Sequence, residues 1–145
     1  MEIKIVKYGS EDYRKCVGLR EKILRIPLGL RFTPEYLEQD RGDIHIAAFD
    51  GDKVIGTVVI KIIDQKTVKI RQVAVETLLQ GHGIGTELMK FAEDYAKKHG
   101  FEHAFLHARF YTVAFYRKLG YKITSGPFME IGMEHYRMDK SLKND

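Results

Sequence analysis

Residues 80–86, Gln80-Gly81-His82-Gly83-Ile84-Gly85-Thr86, limit what this chain can fold into more than any other stretch. They follow a strand-like apolar run at residues 70–75 and open a segment with apolar residues at Ile84, Leu88, Phe91 and Tyr95, one face of a helix. A strand that leads through alternate glycines into a helix start gathers unpaired backbone N–H groups at the positive end of the helix dipole, where an anion binds. A phosphate ester is therefore the expected ligand. Two common phosphate loops fit badly. A P-loop ends in Gly-Lys-Ser or Gly-Lys-Thr, and the sequence contains neither tripeptide. The dinucleotide fingerprint needs a glycine three residues after the second one, and that position is Thr86. Glu102, at the distance of a ribose-binding acid, would begin the next strand rather than end one.

The remaining pattern, Gln/Arg-x-x-Gly-x-Gly, is met by Gln80, Gly83 and Gly85 and resembles the acetyl-CoA pyrophosphate loop of the GNAT N-acetyltransferase superfamily. The later segment Ala114-Phe115-Tyr116-Arg117-Lys118-Leu119-Gly120-Tyr121 resembles the second signature of that family, in which a tyrosine sits near the CoA sulfur. The likeness runs from about Ile3 to Lys140. It implies an α/β (α+β) GNAT fold: a mixed, mostly antiparallel central sheet splayed into a V-shaped acetyl-CoA slot and flanked by about four helices.

Composition agrees with one enzyme-sized domain over residues 1–145, since 44% hydrophobic residues suffice for a core at this length. A single Cys16 excludes an internal disulfide and reads as a small buried hydrophobe. There is neither a signal-peptide pattern nor an apolar run near the roughly 20 residues of a membrane span, so the default expectation is cytoplasmic. A net charge of +4 reads as a solvated basic surface that steers polyanionic CoA inward. No nucleic-acid partner is expected, because no DNA-reading motif or aromatic-basic platform occurs. No histidine pair has zinc spacing with cysteine or acid support, and no metal is expected.

Alternation predicts a strand over residues 3–8, and Ser10 followed by Glu11 and Asp12 marks a helix start running to about Leu24, before Ile26-Pro27-Leu28-Gly29. Thr33-Pro34-Glu35-Tyr36 opens a short helix to about Gln39. Residues 44–49 and 53–63 form a hairpin around Asp50-Gly51-Asp52, and residues 66–75 a third antiparallel strand. After the glycine-rich helix, which Lys97-Lys98-His99-Gly100 closes, residues 103–107 read as a parallel strand in a βαβ unit. A helix over 111–119, a strand over 121–124 and a last strand over about 135–139 complete the order β-α-α-β-β-β-α-β-α-β-β.

Acetyl transfer from a thioester needs a base for the amine, a donor for the carbonyl oxygen and a donor for the departing sulfur. The backbone amides of Val73, Ala74 and Val75 are expected to bind the pantetheine arm, one of them serving the oxyanion; Gln80, Gly81, His82, Gly83, Ile84, Gly85 and Thr86 bind the pyrophosphate. Tyr116 is the expected proton donor to sulfur, the alternative being an aromatic anchor on a helix. A finer likeness concerns the base and the acceptor. Leu19 to Arg25, Ile70-Arg71, Ala108-Arg109 and Gly132-Met133-Glu134-His135-Tyr136-Arg137-Met138 resemble the glyphosate N-acetyltransferase-like branch. That resemblance implies His135 as base and Arg25, Arg71 and Arg109 as holders of an acidic substrate.

Arginine suits this work because its planar fork grips carboxylate and phosphonate groups bidentately. An inward Arg71, on the face of Val73 and Val75 if no bulge intervenes, would need an anionic partner. The alternative for each arginine is one half of an internal ion pair with Asp40, Asp43, Glu102 or Glu130, and for His135 a strand-surface histidine, with Glu130 the reserve base. His45, His99, His103 and His107 read as structural or exposed. The segments at residues 31–35 and 127–131 depart from the glyphosate pattern, so glyphosate itself is not implied. The expected partners are acetyl-CoA and a small anionic amine, with homodimerisation left open. Peptide or lysine acetylation, and a non-catalytic acyl-CoA sensor, are the alternative functions.

Overall fold

A computed structural model describes residues 1–143; Asn144 and Asp145, included in the expected single domain, lie outside the described residues. The chain divides into two compact units, one of Met1–Lys61 with Gln72–Ala92, the other of Ile62–Arg71 with residue 93 onward. Among the described residues there are four α-helices and eight strands in a mixed α/β fold. No helix is long and apolar enough to cross a membrane.

In the first unit, β1 (Glu2–Val6), β2 (Ile44–Asp50), β3 (Lys53–Ile62) and the later part of β4 (Thr67–Val75) lie in that order. β1 and β2 pair antiparallel with Ile5 opposite Ile46, and β2 turns into β3 through Gly51, whose φ of 59° suits the expected Asp-Gly turn. A register shift after Ala48 moves the partner from Gly56 to Val54, leaving Ile55 as the extra residue of a bulge. The Ile55 carbonyl accepts from the Glu76 amide at 2.9 Å, which ties β3 to the end of β4.

Ser10 starts α1 (Glu11–Arg20) as expected, its side chain accepting from the Tyr13 amide. The predicted continuous helix to Leu24 instead finishes in a π-helical turn, Glu21–Arg25, and a 3-10 turn containing Pro27. Thr33 caps α2 (Pro34–Glu38) through the Tyr36 amide. Tyr13, Cys16 and Leu19 on α1 pack with Val6, Ala47, Phe49 and Val54 in one core cluster.

The start of α3 (Ile84–Lys98) lies against β3 at Gly56, where a Cβ would stand 2.8 Å from Leu88 Cδ1 and 3.1 Å from Ile84 Cγ2. Glycine there is a packing requirement. The buried residues of α3 are Ile84, Leu88, Met89, Ala92, Glu93 and Ala96. Phe91 and Tyr95, expected on that face, are only half-buried. Met89 and the alanines turn the inward stripe about one residue from the predicted one, and Tyr95 stacks on His99 instead.

The second unit begins with a parallel ladder between β4 and β5 (His103–Arg109), running from Thr67↔His103 to Ile70↔Leu106. β5 pairs antiparallel with β8 (Met133–Ser141), which also takes β6 (Lys122–Ile123) and β7 (Phe128–Glu130). β7 has no counterpart among the expected elements, and the last strand is longer than residues 135–139. The hairpin between them turns on Ile131 and Gly132, with φ of 47° and 72°. A β-branched residue at positive φ is an outlier, so Gly132 is the sole turn signal in residues 130–133 and Ile131 argues against one. α4 (Val113–Lys118) follows a 3-10 turn that occupies the first residues of the predicted helix.

Candidate functional site

The glycine-rich loop takes its shape from backbone angles. Gly81 and Gly83 both have φ of 84°, and a Cβ on either would meet nothing within 4 Å. These glycines are needed for conformation, in open space rather than in packed surroundings. Gln80 Nε2 donates to the Val75 carbonyl at 3.0 Å, fastening the loop to the end of β4. The Gly83 carbonyl accepts the first helical bond, from the Glu87 amide. Ile84 is buried and anchors the helix start, Gly85 is half-buried, and Gly81, His82, Gly83 and Thr86 are exposed. The loop therefore presents the amide-rich N-terminus of a 15-residue helix outward, as an anion site requires.

Upstream of that loop, β4 is kinked. Gln72 has φ of 57°, a left-handed conformation within a strand. The kink breaks the alternation between Arg71 and Val73, so the expected common face of Arg71, Val73 and Val75 is not kept. Arg71 itself is half-buried, one residue beyond the end of the parallel ladder. Around Gln72 lies a network that sequence reasoning missed. Arg20 and Asp40 are both 0% exposed and meet in a two-pronged ion pair, Nη1–Oδ2 at 2.7 Å and Nη2–Oδ1 at 3.3 Å. Tyr13 Oη also donates to Asp40 Oδ2, at 2.6 Å. Burial first, and then the hydrogen bond to Asp40, push the Tyr13 phenol far above its ordinary range. The signal for Arg20 was its spacing: Tyr13, Cys16 and Arg20 share one face of α1.

Arg25, at the end of the π-helical turn, has its guanidinium 4.8 Å from the ring centres of both Phe32 and Tyr36, which stack at 5.3 Å. Its buried Nε has no hydrogen-bond partner among the described residues.

In the second unit, strand register gathers several of the expected residues. Arg109 stands directly opposite His135 across β5 and β8, and Phe128 opposite His135 across β7 and β8. Cross-strand partners share a face, so Arg109, His135 and Phe128 lie side by side, with His107 two residues along β5. His135 is 4% exposed. Its Nδ1 is 2.8 Å from the Met133 carbonyl, and since a carbonyl only accepts, Nδ1 carries the hydrogen, so Nε2 is the nitrogen that holds the lone pair whenever the ring is neutral. The Phe128 ring stacks over His135 at 6.0 Å and meets His107 edge-on at 5.0 Å.

His107 Nδ1 donates to Glu130 Oε2 at 3.0 Å. That hydrogen bond, opposed by desolvation and helped by the basic groups His107, His135 and Lys69, holds the Glu130 carboxyl below its usual range. Glu130, the reserve base, is thus a weaker base than an ordinary carboxylate, and His107 belongs to the cluster rather than to the scaffold. Its alternation with Arg109 was the available signal.

The acids considered as internal partners include these contacts: Arg20 at Asp40, Lys61 at Asp43 (3.8 Å), Lys66 at Glu102 (3.6 Å) and His107 at Glu130. Arg109 Nη1 donates to Tyr111 Oη at 3.2 Å.

Tyr116 is 8% exposed on α4. Burial raises its phenol well above the ordinary value, against the lowering influence of Arg109. The hydroxyl stays protonated at neutral pH. Tyr121, in ring contact with Tyr116 at 6.0 Å, donates to Glu93 Oε2 at 2.9 Å, and Lys140 Nζ binds Glu93 Oε1 at 2.7 Å. The end of α4 is so anchored to α3 and β8. Among the described residues, no group of three or more His, Cys, Asp or Glu side chains is arranged to hold a metal ion.

Comparison with known proteins bears on the family and the fold. The sequence model of the Acetyltransferase (GNAT) family matches residues 11–121. A Xenopus tropicalis protein named probable N-acetyltransferase 14 is 32% identical over 114 residues, 76% of this chain and 55% of that protein; the chain thus matches about half of that relative's length. A crystal structure named as an N-acetyltransferase, from Lactobacillus plantarum, superposes with a TM-score of 0.85 at 25% identity, covering 99% of this chain and 100% of that one. A GNAT family acetyltransferase from Elizabethkingia anophelis with acetyl-CoA bound superposes at 0.76 with 20% identity over 97% of each chain. The chain belongs to the acetyltransferase (GNAT) family and carries the fold of an acetyl-CoA-dependent acyltransferase.

Proposed function

We propose that this protein transfers an acetyl group from acetyl-CoA to the amine of a small anionic substrate in a ternary complex. The observation that carries the reading is the pairing of His135, whose Nδ1 is engaged by the Met133 carbonyl so that Nε2 is the nitrogen left for proton transfer, with Arg109 directly across the β5–β8 ladder. A base beside a guanidinium suits an acceptor that carries both an ammonium and a carboxylate, phosphonate or phosphate. Arg25 and Arg71 complete the anion-binding set in this reading, in keeping with the likeness to the glyphosate N-acetyltransferase-like branch.

In this mechanism Gln80, Gly81, His82, Gly83, Ile84, Gly85 and Thr86 hold the pyrophosphate at the helix start. The amides of Val73, Ala74 and Val75 hold the pantetheine arm, and one of them donates to the thioester oxygen as negative charge develops there. His135 Nε2 accepts a proton from the ammonium, and the freed nitrogen attacks the carbonyl carbon. The nitrogen–carbon bond forms as the carbon–sulfur bond breaks. The Tyr116 hydroxyl donates a hydrogen bond to the departing sulfur, and the proton shed by the new amide leaves CoA as the free thiol. The low exposure of His135 and Tyr116 supports these roles, because donors and acceptors act more strongly away from water.

The test is CoA release from acetyl-CoA across amino acids, phosphonate- and phosphate-bearing amines, aminoglycosides, polyamines and short peptides, with wild type and Arg109→Ala. Turnover confined to acidic amines, with a KM raised about tenfold or more by Arg109→Ala, is the expected result. Equal effects on neutral and acidic amines reject the anion clamp, peptide turnover moves the reading to protein acetylation, and saturable acetyl-CoA binding without any turnover favours a sensor.

A further inference from the structure

We propose that Gln72 is a positioning residue: its side chain, gripped between Arg20 and Tyr36, holds the left-handed kink of β4 and thereby aims the amides of residues 73–75. The inference rests on the reading that those amides bind acetyl-CoA. A φ of 57° is one that glycine takes freely and a residue with a Cβ takes only where its surroundings insist on it. At Gln72 the surroundings are the two ends of its own amide. Arg20 Nε, which can only donate, lies 3.4 Å from Oε1, and Nε2 donates to Tyr36 Oη at 2.9 Å. The amide can therefore take only one orientation.

The two grips differ in stiffness. Arg20 is fully buried and fixed twice on Asp40, which Tyr13 holds as well, so this end cannot give way without unpairing a buried charge. Tyr36 is half-buried on the short helix α2, where its ring stacks on Phe32 and meets Arg25. The kink matters because residues 73–75 come immediately after it. A left-handed residue breaks the regular alternation of a strand, so the direction of the next amides depends on the kink being kept. The buried Arg20–Asp40 pair, which touches no reacting atom, acts on that geometry through Gln72.

The test combines acetyl-CoA affinity with NMR hydrogen exchange of the amides of residues 73–75, with and without acetyl-CoA, in wild type, Gln72→Ala, Gln72→Gly and Tyr36→Phe. In wild type, acetyl-CoA slows exchange at these amides. Gln72→Ala keeps a Cβ and loses both grips: affinity falls about tenfold and exchange at residues 73–75 quickens in the free protein. Gln72→Gly needs no grip to keep a positive φ and recovers affinity to within about threefold of wild type. Tyr36→Phe weakens binding in the wild-type background but has no effect in the Gln72→Gly background. The proposal is overturned if Gln72→Ala binds like wild type, or if Gln72→Gly binds as poorly as Gln72→Ala. If acetyl-CoA fails to slow these amides in wild type, the cofactor reading fails separately, and the difference in free-protein exchange between the alanine and glycine variants still decides whether the side chain holds the kink.

Discussion

His135 and Glu130 lie on one hairpin, and their surroundings make them different bases. The Met133 carbonyl takes the Nδ1 hydrogen of His135 and leaves Nε2 able to accept, whereas the hydrogen bond from His107 stabilises the ionised form of Glu130. A carboxylate held below its usual range gives little driving force for removing a proton from an ammonium; an imidazole with an open nitrogen gives more. His135→Ala is therefore expected to lower kcat by about 100-fold or more while leaving acetyl-CoA affinity unchanged, as read by steady-state turnover and calorimetry. Unchanged turnover would remove His135 from the chemistry, and a matched loss of acetyl-CoA binding would make its role structural. In the sequence, the proposal of His135 as base rests on resemblance alone, because a lone histidine at strand spacing does not reveal which nitrogen is open. The contact of His107 was hidden for a related reason: its acid partner comes from β7, a three-residue strand too short to show alternation.

At the scale of elements, β8 organises the second unit, and Asp139 is its fastening point. Asp139 accepts from Arg137 Nε and Nη2 at 2.9 and 3.0 Å on its own strand, from His103 Nε2 at 2.6 Å on β5 and from Thr124 Oγ1 at 2.5 Å just past β6. Burial alone would raise this carboxyl, but the hydrogen bonds from Arg137, Thr124 and His103 outweigh it and push the value from 3.8 down to about 2. Because the folded value is depressed, the stabilisation is complete above the unfolded value and is lost as pH falls from about 4 to about 2. Asp139→Asn is expected to cost about 2 kcal/mol in urea unfolding at pH 7, a gap that closes near pH 2. A gap of equal size at both pH values would mean that packing, not ionisation, is what Asp139 supplies. Other elements were legible, since β2, β3 and α3 follow from alternation, an Asp-Gly turn and a glycine-rich helix start. Less legible were the π-helical end of α1, the kink at Gln72 and the Ile131-Gly132 turn. At each of these, side-chain contacts distant in sequence or pairing with a neighbouring strand override the local preference of the residue.

For the molecule as a whole, the pyrophosphate loop should couple acetyl-CoA binding to stability. A ligand that binds only the folded chain stabilises it by about 2.7 kcal/mol at a concentration of 100 Kd, which for a chain of this size raises Tm by roughly 10 °C. Part of the affinity comes from the polyanionic CoA meeting a protein of net charge +4 and a helix start with free amides, so the rise should shrink as ionic strength increases. Gly83→Ala separates this contribution from ordinary packing. The added methyl meets nothing within 4 Å, and the only cost is a positive φ of 84°, about 1 kcal/mol. The variant without ligand should therefore melt only a few degrees lower, by scanning calorimetry. At the same acetyl-CoA concentration its ligand-induced rise should be much smaller than that of wild type, because relaxing the strain turns the loop amides away from the pyrophosphate. A lowered Tm with the full ligand-induced rise would show that the loop shapes the fold without gripping the cofactor. An unchanged Tm with a lost rise would show that the left-handed conformation at Gly83 serves binding alone.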